Sequence, residues 1–306
     1  MSKKIVFMGT PEFAVPSLNA LKNNNYNISV VYTQPPSIAN RGKKLIESKI
    51  ETLAKKFSLK VRNPKKLDNE NEYNYFKSIE PDLAIVVAYG QIIPKRFLTV
   101  PRFGFINVHA SLLPKWRGAA PIQRSIMNLD NESGISIMKI AEKLDAGPIM
   151  YQEKIKINEN INSQILSKLL SQLGAKSMIS AIDKIEKGEE NFVEQDHSMA
   201  TYAKKISKKE AQINWNESSR KVLAQINGLN PNPGAWFKIN NKRYKVWKAK
   251  IVKIKGHPGE ILNDKLVIGC DDFSIKIIEI QKEGKDKQSI EKFLLGNKIK
   301  KGLIIS

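Results

Sequence analysis

The feature that most constrains this chain is the apolar run Asp82–Ala88, which reads DLAIVVA. Near-continuous apolar runs of this length are typical of central strands that are buried on both faces of a parallel sheet. Other strand-like runs lie at Ile5–Met8, Ile28–Tyr32, Phe105–Val108 and Ile135–Ile140, and helical periodicity separates several of them. We therefore predict an α/β domain with an open, mostly parallel, Rossmann-like sheet and helices on both faces.

The sequence changes character after about residue 188. Residues 189–214 are polar and irregular, which indicates a connector, and several short β-type runs separated by turn residues follow. Such runs favour a small β-barrel or sandwich, with an oligonucleotide-binding-like (OB-like) barrel as one option. We thus expect an α/β domain over residues 1–188, the connector, and a C-terminal β-barrel over residues 215–306.

Composition adds a large positive charge, since 51 basic residues stand against 30 acidic ones for a net charge of +21. Such an excess favours binding to polyanions, nucleic acid first among them, although a lysine-rich proteome would give the same balance. Residues 206–306 carry a net +11, whereas the twice longer stretch 1–205 carries only +10. This asymmetry is typical of a nucleic-acid-binding C-terminal part.

Other features argue against several protein classes. The lone cysteine, Cys270, cannot form an internal disulfide and fits a reducing cytoplasm. The histidines His109, His197 and His257 are too far apart for a zinc pattern, so we expect no metal. The first strand is followed by Gly9-Thr10-Pro11 and not by G-x-G-x-x-G, which argues against a dinucleotide site. No window holds roughly 18 uncharged apolar residues, so we expect no membrane span.

Polar side chains stand just after two of the predicted strands. Asn107 and His109 end the run Phe105–Val108 and, being two residues apart, share one face of that strand. Asp145 follows the run Ile135–Ile140, where it could either cap a loop or face His109 and orient the imidazole. Open α/β sheets bind ligands beyond their strand ends, so the three residues could transfer protons or stabilise an anion there. The spacing leaves both roles of Asp145 open.

The residues around these candidates resemble the formyltransferase superfamily that uses 10-formyltetrahydrofolate. The segments that carry the resemblance are Asn107–Pro114 (NVHASLLP), Trp116–Gln123 (WRGAAPIQ), Asp145–Gly147 (DAG), Gly9–Phe13 (GTPEF) and Val87–Gly90 (VAYG). Two further segments, the basic run Arg41–Lys44 and Val246–Ala249 (VWKA), resemble the branch that acts on methionyl initiator tRNA.

The resemblance implies transfer of a formyl group from 10-formyltetrahydrofolate to the α-amino group of methionyl initiator tRNA, in the cytoplasm, for translation initiation. The catalytic residues that it implies are Asn107, His109 and Asp145. The residues implied in folate binding are Ser111, Leu112, Leu113, Pro114, Tyr89 and Gly90. The residues implied in tRNA binding are Arg41, Lys43, Lys44, Arg243, Lys245 and Lys248. A monomer is expected, because an RNA partner can cover the basic surface.

Alternation along the predicted strand Arg243–Ala249 assigns these basic side chains to faces. It places Arg243, Lys245 and Trp247 on one face and Tyr244, Val246 and Lys248 on the other, so neither face is purely basic.

Two other functions are compatible with parts of this pattern. A folate-dependent formyltransferase acting on a sugar nucleotide or a purine precursor would share Asn107, His109 and Asp145 but would not need the basic run. A non-enzymatic RNA-binding protein built on a catalytically inactive α/β domain would explain the charge. The presence of Asn107, His109 and Asp145 together argues against it.

Overall fold

The computed structural model describes residues 3–39 and 44–305. The chain divides into two compact units, and several segments of each unit alternate along the sequence. The first unit comprises Met1–Gly118, Gly134–Ile155 and Ser167–Tyr202. The second unit comprises Ala119–Ser133, Lys156–Leu166 and Ala203–Ser306.

Strands and helices follow one another in the described part of the chain. The strands are β1 Lys4–Gly9, β2 Asn27–Tyr32, β3 Ser37–Ala39, β4 Lys44–Ile46, β5 Val61–Arg62, β6 Leu83–Val87, β7 Phe105–His109, β8 Arg117–Gly118, β9 Glu132–Lys139, β10 Ile149–Lys156, β11 Tyr202–Ala203, β12 Trp236–Ile239, β13 Lys242–Val252, β14 Val267–Gly269, β15 Ser274–Lys282 and β16 Gln288–Ser289. The α-helices are α1 Val15–Asn23, α2 Lys49–Lys56, α3 Glu70–Ser78, α4 Lys95–Leu98, α5 Pro121–Met127, α6 Ser163–Lys187, α7 Ser219–Gly228 and α8 Ile290–Leu295. Short 3₁₀ helices lie at Glu12–Ala14, His197–Met199 and Lys209–Ala211.

A seven-stranded sheet in the order β10-β9-β7-β6-β1-β2-β5 forms the centre of the first unit. The five strands from β7 to β5 are parallel to their neighbours, whereas β9 runs antiparallel to β7, so the sheet is mixed. All five residues of β6 are buried, as expected for the apolar run that predicted a central strand. The predicted α/β architecture is confirmed, with an antiparallel edge that the sequence did not indicate.

Helix α3 covers one part of this sheet although its sequence, ENEYNYFKS, is mostly polar. The side chain of Asn69 accepts a hydrogen bond from the backbone N–H of Glu72 at 2.9 Å and so caps the helix. The helix buries Phe76, whose ring stacks on Phe105 of β7 with centroids 5.7 Å apart. Burial of one large aromatic side chain, worth about 3–5 kcal/mol, outweighs the weak helix preference of its neighbours.

The second unit contains a five-stranded antiparallel sheet in the order β12-β13-β15-β14, with β16 paired to β15. Its core includes Phe237, whose ring lies 5.8 Å from both Trp215 and Tyr244. The predicted closed barrel is not found: among the described residues, no strand ladder joins β14 to β12. The sequence predicted the short strands but carried no signal for closure, which depends on strand tilt and stagger.

An ion pair in the second unit is expected to affect the stability of the protein at acid pH. The side chain of Arg124 donates to Glu210 at 2.5 Å, and this hydrogen bond lowers the pKa of Glu210 from an ordinary 4.5 to about 2, against the opposing effect of partial burial. Because the folded-state pKa is lowered, the pair stabilises the fold above about pH 4.5 and this contribution is lost as the pH falls towards 2. We expect Glu210→Gln to lose less unfolding free energy than the wild type between pH 5 and pH 3 in urea titrations. Equal losses in the two proteins would contradict this role.

Candidate active site

Strand β7 places two polar side chains on the same face near its carboxyl end. Asn107 and His109 pair with Met138 and Ser136 of β9, and the intervening Val108 points to the other face. The His109 side chain is buried and Asn107 is half-buried. Within the described part of the chain, no residue forms a hydrogen bond with the side-chain amide of Asn107. That amide therefore has two N–H donors available to a ligand.

The imidazole of His109 lies between a carbonyl and a carboxylate. Its Nε2 is 3.0 Å from the carbonyl oxygen of Trp116, and since a carbonyl only accepts, the ring carries a proton on Nε2. Its Nδ1 faces Asp145, with 3.7 Å between Nδ1 and Oδ2. A second proton on Nδ1 would thus make the ring a cation directly opposite a carboxylate.

Asp145 combines the two roles that its position in the sequence left open. The same Oδ2 atom that faces His109 accepts a hydrogen bond from the backbone N–H of Gly118 at 2.8 Å. The side chain therefore closes a loop and faces the imidazole at once.

Several residues around this pair adopt left-handed backbone conformations that side chains disfavour. Asp145 has φ of 46°, Trp116 of 62° and Ala88 of 49°. Non-glycine residues with such φ values are uncommon and concentrate where the surrounding structure must hold a side chain in place. Gly147 is needed for a different reason, because a side chain at that position would collide with the carbonyl of Lys139.

The loop Ser111–Pro114, which the resemblance implies in folate binding, is fixed by a local hydrogen bond and by two hydrogen bonds to Ser136 of β9. The Ser111 hydroxyl donates to the carbonyl of Lys115 at 2.6 Å. The Ser136 hydroxyl donates to the Ser111 carbonyl at 2.7 Å and accepts from the N–H of Leu113 at 3.0 Å. Ser111 and Leu113 are buried, whereas Leu112 and Pro114 are half-buried. The loop thus has a fixed shape and offers mainly the two half-buried side chains to a ligand.

Tyr89 and Gly90, the other residues implied in folate binding, follow β6. The Tyr89 side chain is buried in the core, and its carbonyl accepts hydrogen bonds from Thr10 at 2.7 Å and Gln34 at 3.3 Å. Gly90 is exposed at φ of 89°. A ligand at this point of the sheet edge would therefore meet backbone and not the tyrosine ring.

The residues implied in tRNA binding are described unevenly. Arg41 and Lys43 lie outside the described residues, and Lys44 is described only as the first backbone position of β4. On β13, the guanidinium carbon of Arg243 lies 4.2 Å from the ring centroid of Trp236. The ammonium group of Lys245 donates to the carbonyl of Pro233 at 2.7 Å.

The predicted placement of Lys248 on the face of Tyr244 and Val246 is wrong. The pairing between β13 and β15 shifts register between Val246 and Lys248, and again before Ala249. A bulge of this kind reverses the alternation of side chains along the rest of a strand. Tyr244 and Val246 are buried, whereas Lys248 is exposed.

One residue of this region has no signal in the sequence. Gln195 lies in the polar stretch after α6, yet its side chain is buried and its Nε2 donates to the carbonyls of Asp145 at 2.9 Å and Gly147 at 2.7 Å. A glutamine in a polar segment reads as solvent-exposed, so only the fold connects it to Asp145.

Two classes of feature are absent from the part of the chain that the structure describes. Its residues contain no group of three or more His, Cys, Asp or Glu side chains placed to hold a metal ion. None of its helices combines the length and the apolar character that crossing a membrane requires.

Comparison with known proteins identifies relatives over almost the whole length of the chain. Residues 3–182 match the family described as formyl transferase, and residues 205–298 match the formyl transferase C-terminal domain. A methionyl-tRNA formyltransferase from Pelagibacter ubique is 51% identical over 304 residues, which cover 99% of this chain and 98% of that protein.

Solved structures share the fold at lower identity. HypX from Aquifex aeolicus, solved in complex with tetrahydrofolic acid, is 15% identical with a TM-score of 0.67 and covers 100% of this chain and 51% of its own. An N-formyltransferase from Helicobacter canadensis, in complex with folinic acid and dTDP-3-aminofucose, is 21% identical with a TM-score of 0.66 and covers 92% of this chain and 100% of its own. Family match, sequence identity and fold agree, and the chain belongs to the formyltransferase family, among the methionyl-tRNA formyltransferases.

Proposed function

We propose that this protein transfers the formyl group of 10-formyltetrahydrofolate to the α-amino group of methionyl initiator tRNA, in the cytoplasm, for translation initiation. The substrates follow from the 51% identity to the Pelagibacter protein over almost the whole chain. The observation that carries the chemistry is the group at the end of β7, where His109 faces Asp145 and where the Asn107 amide has no hydrogen-bond partner among the described residues.

In this reaction the amine nitrogen bonds to the formyl carbon, the bond from that carbon to N10 of the folate breaks, and tetrahydrofolate leaves with a proton lost by the amine. Negative charge develops on the formyl oxygen and must be stabilised by donors that are already in place. The Asn107 amide supplies one donor. The Nε2 proton of His109 supplies another when the substrate oxygen replaces the Trp116 carbonyl to which it now donates.

Asp145 holds the imidazole in the orientation that this step needs. Its carboxylate faces Nδ1 of His109 and can accept, through water, the proton that the amine gives up. The reaction then requires only groups of the chain and its two substrates.

The folate fits the neighbouring loops. We assign its binding to Ser111, Leu112, Leu113 and Pro114 and to the backbone of Tyr89 and Gly90. Support comes from the fixed hydrogen bonds of the first loop and from the exposed backbone at Gly90. Both segments directly follow neighbouring parallel strands, β7 and β6, so they meet at one sheet edge.

The tRNA is assigned to the basic residues of both parts of the chain. We propose that residues 1–188 carry out catalysis, that residues 189–214 connect, and that residues 215–306 bind tRNA as part of a monomer. Phosphate contacts are assigned to Arg41, Lys43, Lys44, Arg243, Lys245 and Lys248. The charge excess of the C-terminal residues and the exposure of Lys248 support this assignment.

Salt dependence tests the tRNA contacts. Each phosphate contact adds about 0.7–0.9 to the slope of log affinity against log salt, so Lys248→Gln is expected to weaken tRNA binding and flatten that slope by this amount. Formylation at saturating tRNA should stay unchanged. Lys77→Gln is the matched control, because Lys77 is an exposed lysine on α3 outside the assigned surface. An unchanged slope in Lys248→Gln would remove that residue from the interface.

A direct assay tests the reaction. The purified protein is mixed with 10-formyltetrahydrofolate and methionyl initiator tRNA, and N-formylmethionine is measured after hydrolysis of the ester. Uncharged tRNA and an amino-sugar nucleotide serve as controls. Formylation of the methionyl-tRNA alone is expected. Tetrahydrofolate release with the sugar nucleotide only would favour a sugar formyltransferase, and tRNA binding without any transfer would favour an RNA-binding protein.

A further inference from the structure

Arg117 is a buried arginine whose side chain, among the described residues, hydrogen-bonds to a glutamine and a histidine. The residue is 4% exposed, and its Nε and Nη2 donate to Oε1 of Gln195 at 3.1 and 2.7 Å. Its Nη2 also lies 2.9 Å from Nδ1 of His197, which must accept because a guanidinium only donates. Among the described residues, no carboxylate forms an ion pair with Arg117. A buried cation without a carboxylate is costly, so Arg117 depends on the hydrogen bonds that it makes to Gln195 and His197.

Gln195 links Arg117 to the loop that contains Asp145. Its Nε2 donates to the carbonyls of Asp145 and Gly147, while its Oε1 accepts both bonds from Arg117. If the Gln195 amide were flipped, its NH₂ group would face the N–H donors of the guanidinium. Its oxygen, an acceptor, would then face the two carbonyl oxygens. The four bonds therefore fix a single orientation of the Gln195 side chain.

The backbone of Asp145 needs such a restraint. With φ of 46°, the residue lies in the left-handed region, which aspartate adopts more readily than most side chains but which still favours a fixed surrounding. Gly118, which directly follows Arg117, holds the carboxylate through its N–H at 2.8 Å. The segment Arg117–Gly118 thus restrains both parts of Asp145, the side chain directly and the main chain through Gln195.

We propose that Gln195 is a positioning residue for formyl transfer, which fixes the main chain of Asp145 so that its carboxylate faces Nδ1 of His109, and that Arg117 fixes Gln195 in turn. This inference rests on the proposed function. The Gln195 side chain is buried and its Nε2 already donates to two backbone carbonyls, so its effect is expected to reach the reaction through Asp145.

Gln195→Glu separates the two sets of hydrogen bonds that Gln195 makes, those from Arg117 and those to the carbonyls of Asp145 and Gly147. The new carboxylate still accepts from Arg117, as a stronger ion pair, but it has no N–H to donate to the carbonyls of Asp145 and Gly147. We expect kcat to fall about 10–100-fold, the usual effect of losing a residue that orients a functional group, with KM for both substrates within about twofold of the wild type. An unchanged kcat in the folded variant would overturn the proposal.

Gln225→Glu is the matched control. Gln225 also donates from Nε2 to two backbone carbonyls, those of Glu210 and Gln212 at 2.8 and 2.9 Å, but it belongs to the second unit. The same chemical change should there lower the thermal midpoint and leave kcat unchanged. A fall in kcat of equal size in both variants would mark a general structural effect and would overturn the proposal.

A double-mutant cycle with Asp145→Ala tests the route of the effect. If Gln195 acts through Asp145, Gln195→Glu should cause no further loss of kcat in the Asp145→Ala background. Losses that multiply would show that Gln195 acts independently of Asp145.

If Gln195→Glu does not fold, Gln195→Asn, which keeps the amide but shortens its reach, is subjected to the same cycle. A wild type without formylation would defeat the proposed function, whereas an active wild type with a fully active Gln195→Glu variant would defeat only this inference.

Discussion

Asn107→Ala is expected to lower kcat by about 10²–10³-fold, which is the usual cost of removing one donor from a developing oxyanion. The side-chain amide of Asn107 has no hydrogen-bond partner among the residues that the structure describes, so its loss breaks no internal contact. Stability and tRNA affinity should therefore change little. Turnover under saturating substrates, tRNA binding and the thermal midpoint measure the three effects separately.

Asn107→Asp makes this prediction sharper. The aspartate has the same shape as asparagine but lacks both N–H donors and adds a negative charge beside the formyl oxygen. It should be at least as damaging as alanine. Asn27→Asp, at the exposed first position of β2, is the matched control and should be fully active. If Asn107→Asp retained wild-type turnover, Asn107 could not be a donor to the oxyanion.

Asp145→Asn is expected to lower kcat by about 10³–10⁴-fold, as when a carboxylate that orients a catalytic histidine is replaced by its amide. The amide oxygen can still accept from the N–H of Gly118, so the loop keeps its closure. What is lost is the negative charge that faces Nδ1 of His109. Single-turnover formylation at saturating folate, with tRNA affinity as the reference, measures this loss.

The same variant decides between the two roles of Asp145. If the residue served only to cap its loop, Asp145→Asn would keep activity within a few-fold and Asp145→Ala alone would be defective. Comparable losses in both variants are expected here, because neither carries a charge towards His109.

Elements with a strong local pattern could be predicted from the sequence. The apolar periodicity of residues 163–187 predicts one long helix, and α6 spans Ser163–Lys187. The apolar run Trp236–Ile239 before two asparagines likewise predicts a strand and a hairpin turn. Strand β12 spans these residues, and Asn240 and Asn241 have φ of 48° and 61°, the positive values that a two-residue type I′ turn requires.

Elements that depend on distant partners could not be predicted. Helix α3 has a mostly polar sequence and strand β10 has as many polar as apolar residues, and tertiary contacts make both regular. The bulge that exposes Lys248 comes from the pairing of β13 with β15 and has no local signature. The hydrogen bonds of Gln195 join Arg117 and Asp145, which are far from it in the sequence.

The candidate site shows the same division in its geometry. Asn107 and His109 share a face because a strand alternates, which the sequence alone establishes. Asp145 is different, since β9 runs antiparallel and its last residue, Lys139, pairs with Ile106 at the start of β7 and not with His109. The stretch after β9 must therefore return along the sheet to reach the imidazole, and no spacing rule for parallel strands predicts that path.

The alternation of the two units along the chain has a consequence for synthesis. Helix α5 belongs to the second unit and packs there against α7, which begins only at Ser219. At about 5–20 residues per second, the ribosome needs roughly 5–18 seconds to travel from the end of α5 at Met127 to the start of α7. During that interval the apolar side of α5, including Ile126, lacks the cover that α7 gives it, and a nascent chain halted there would expose apolar surface to chaperones.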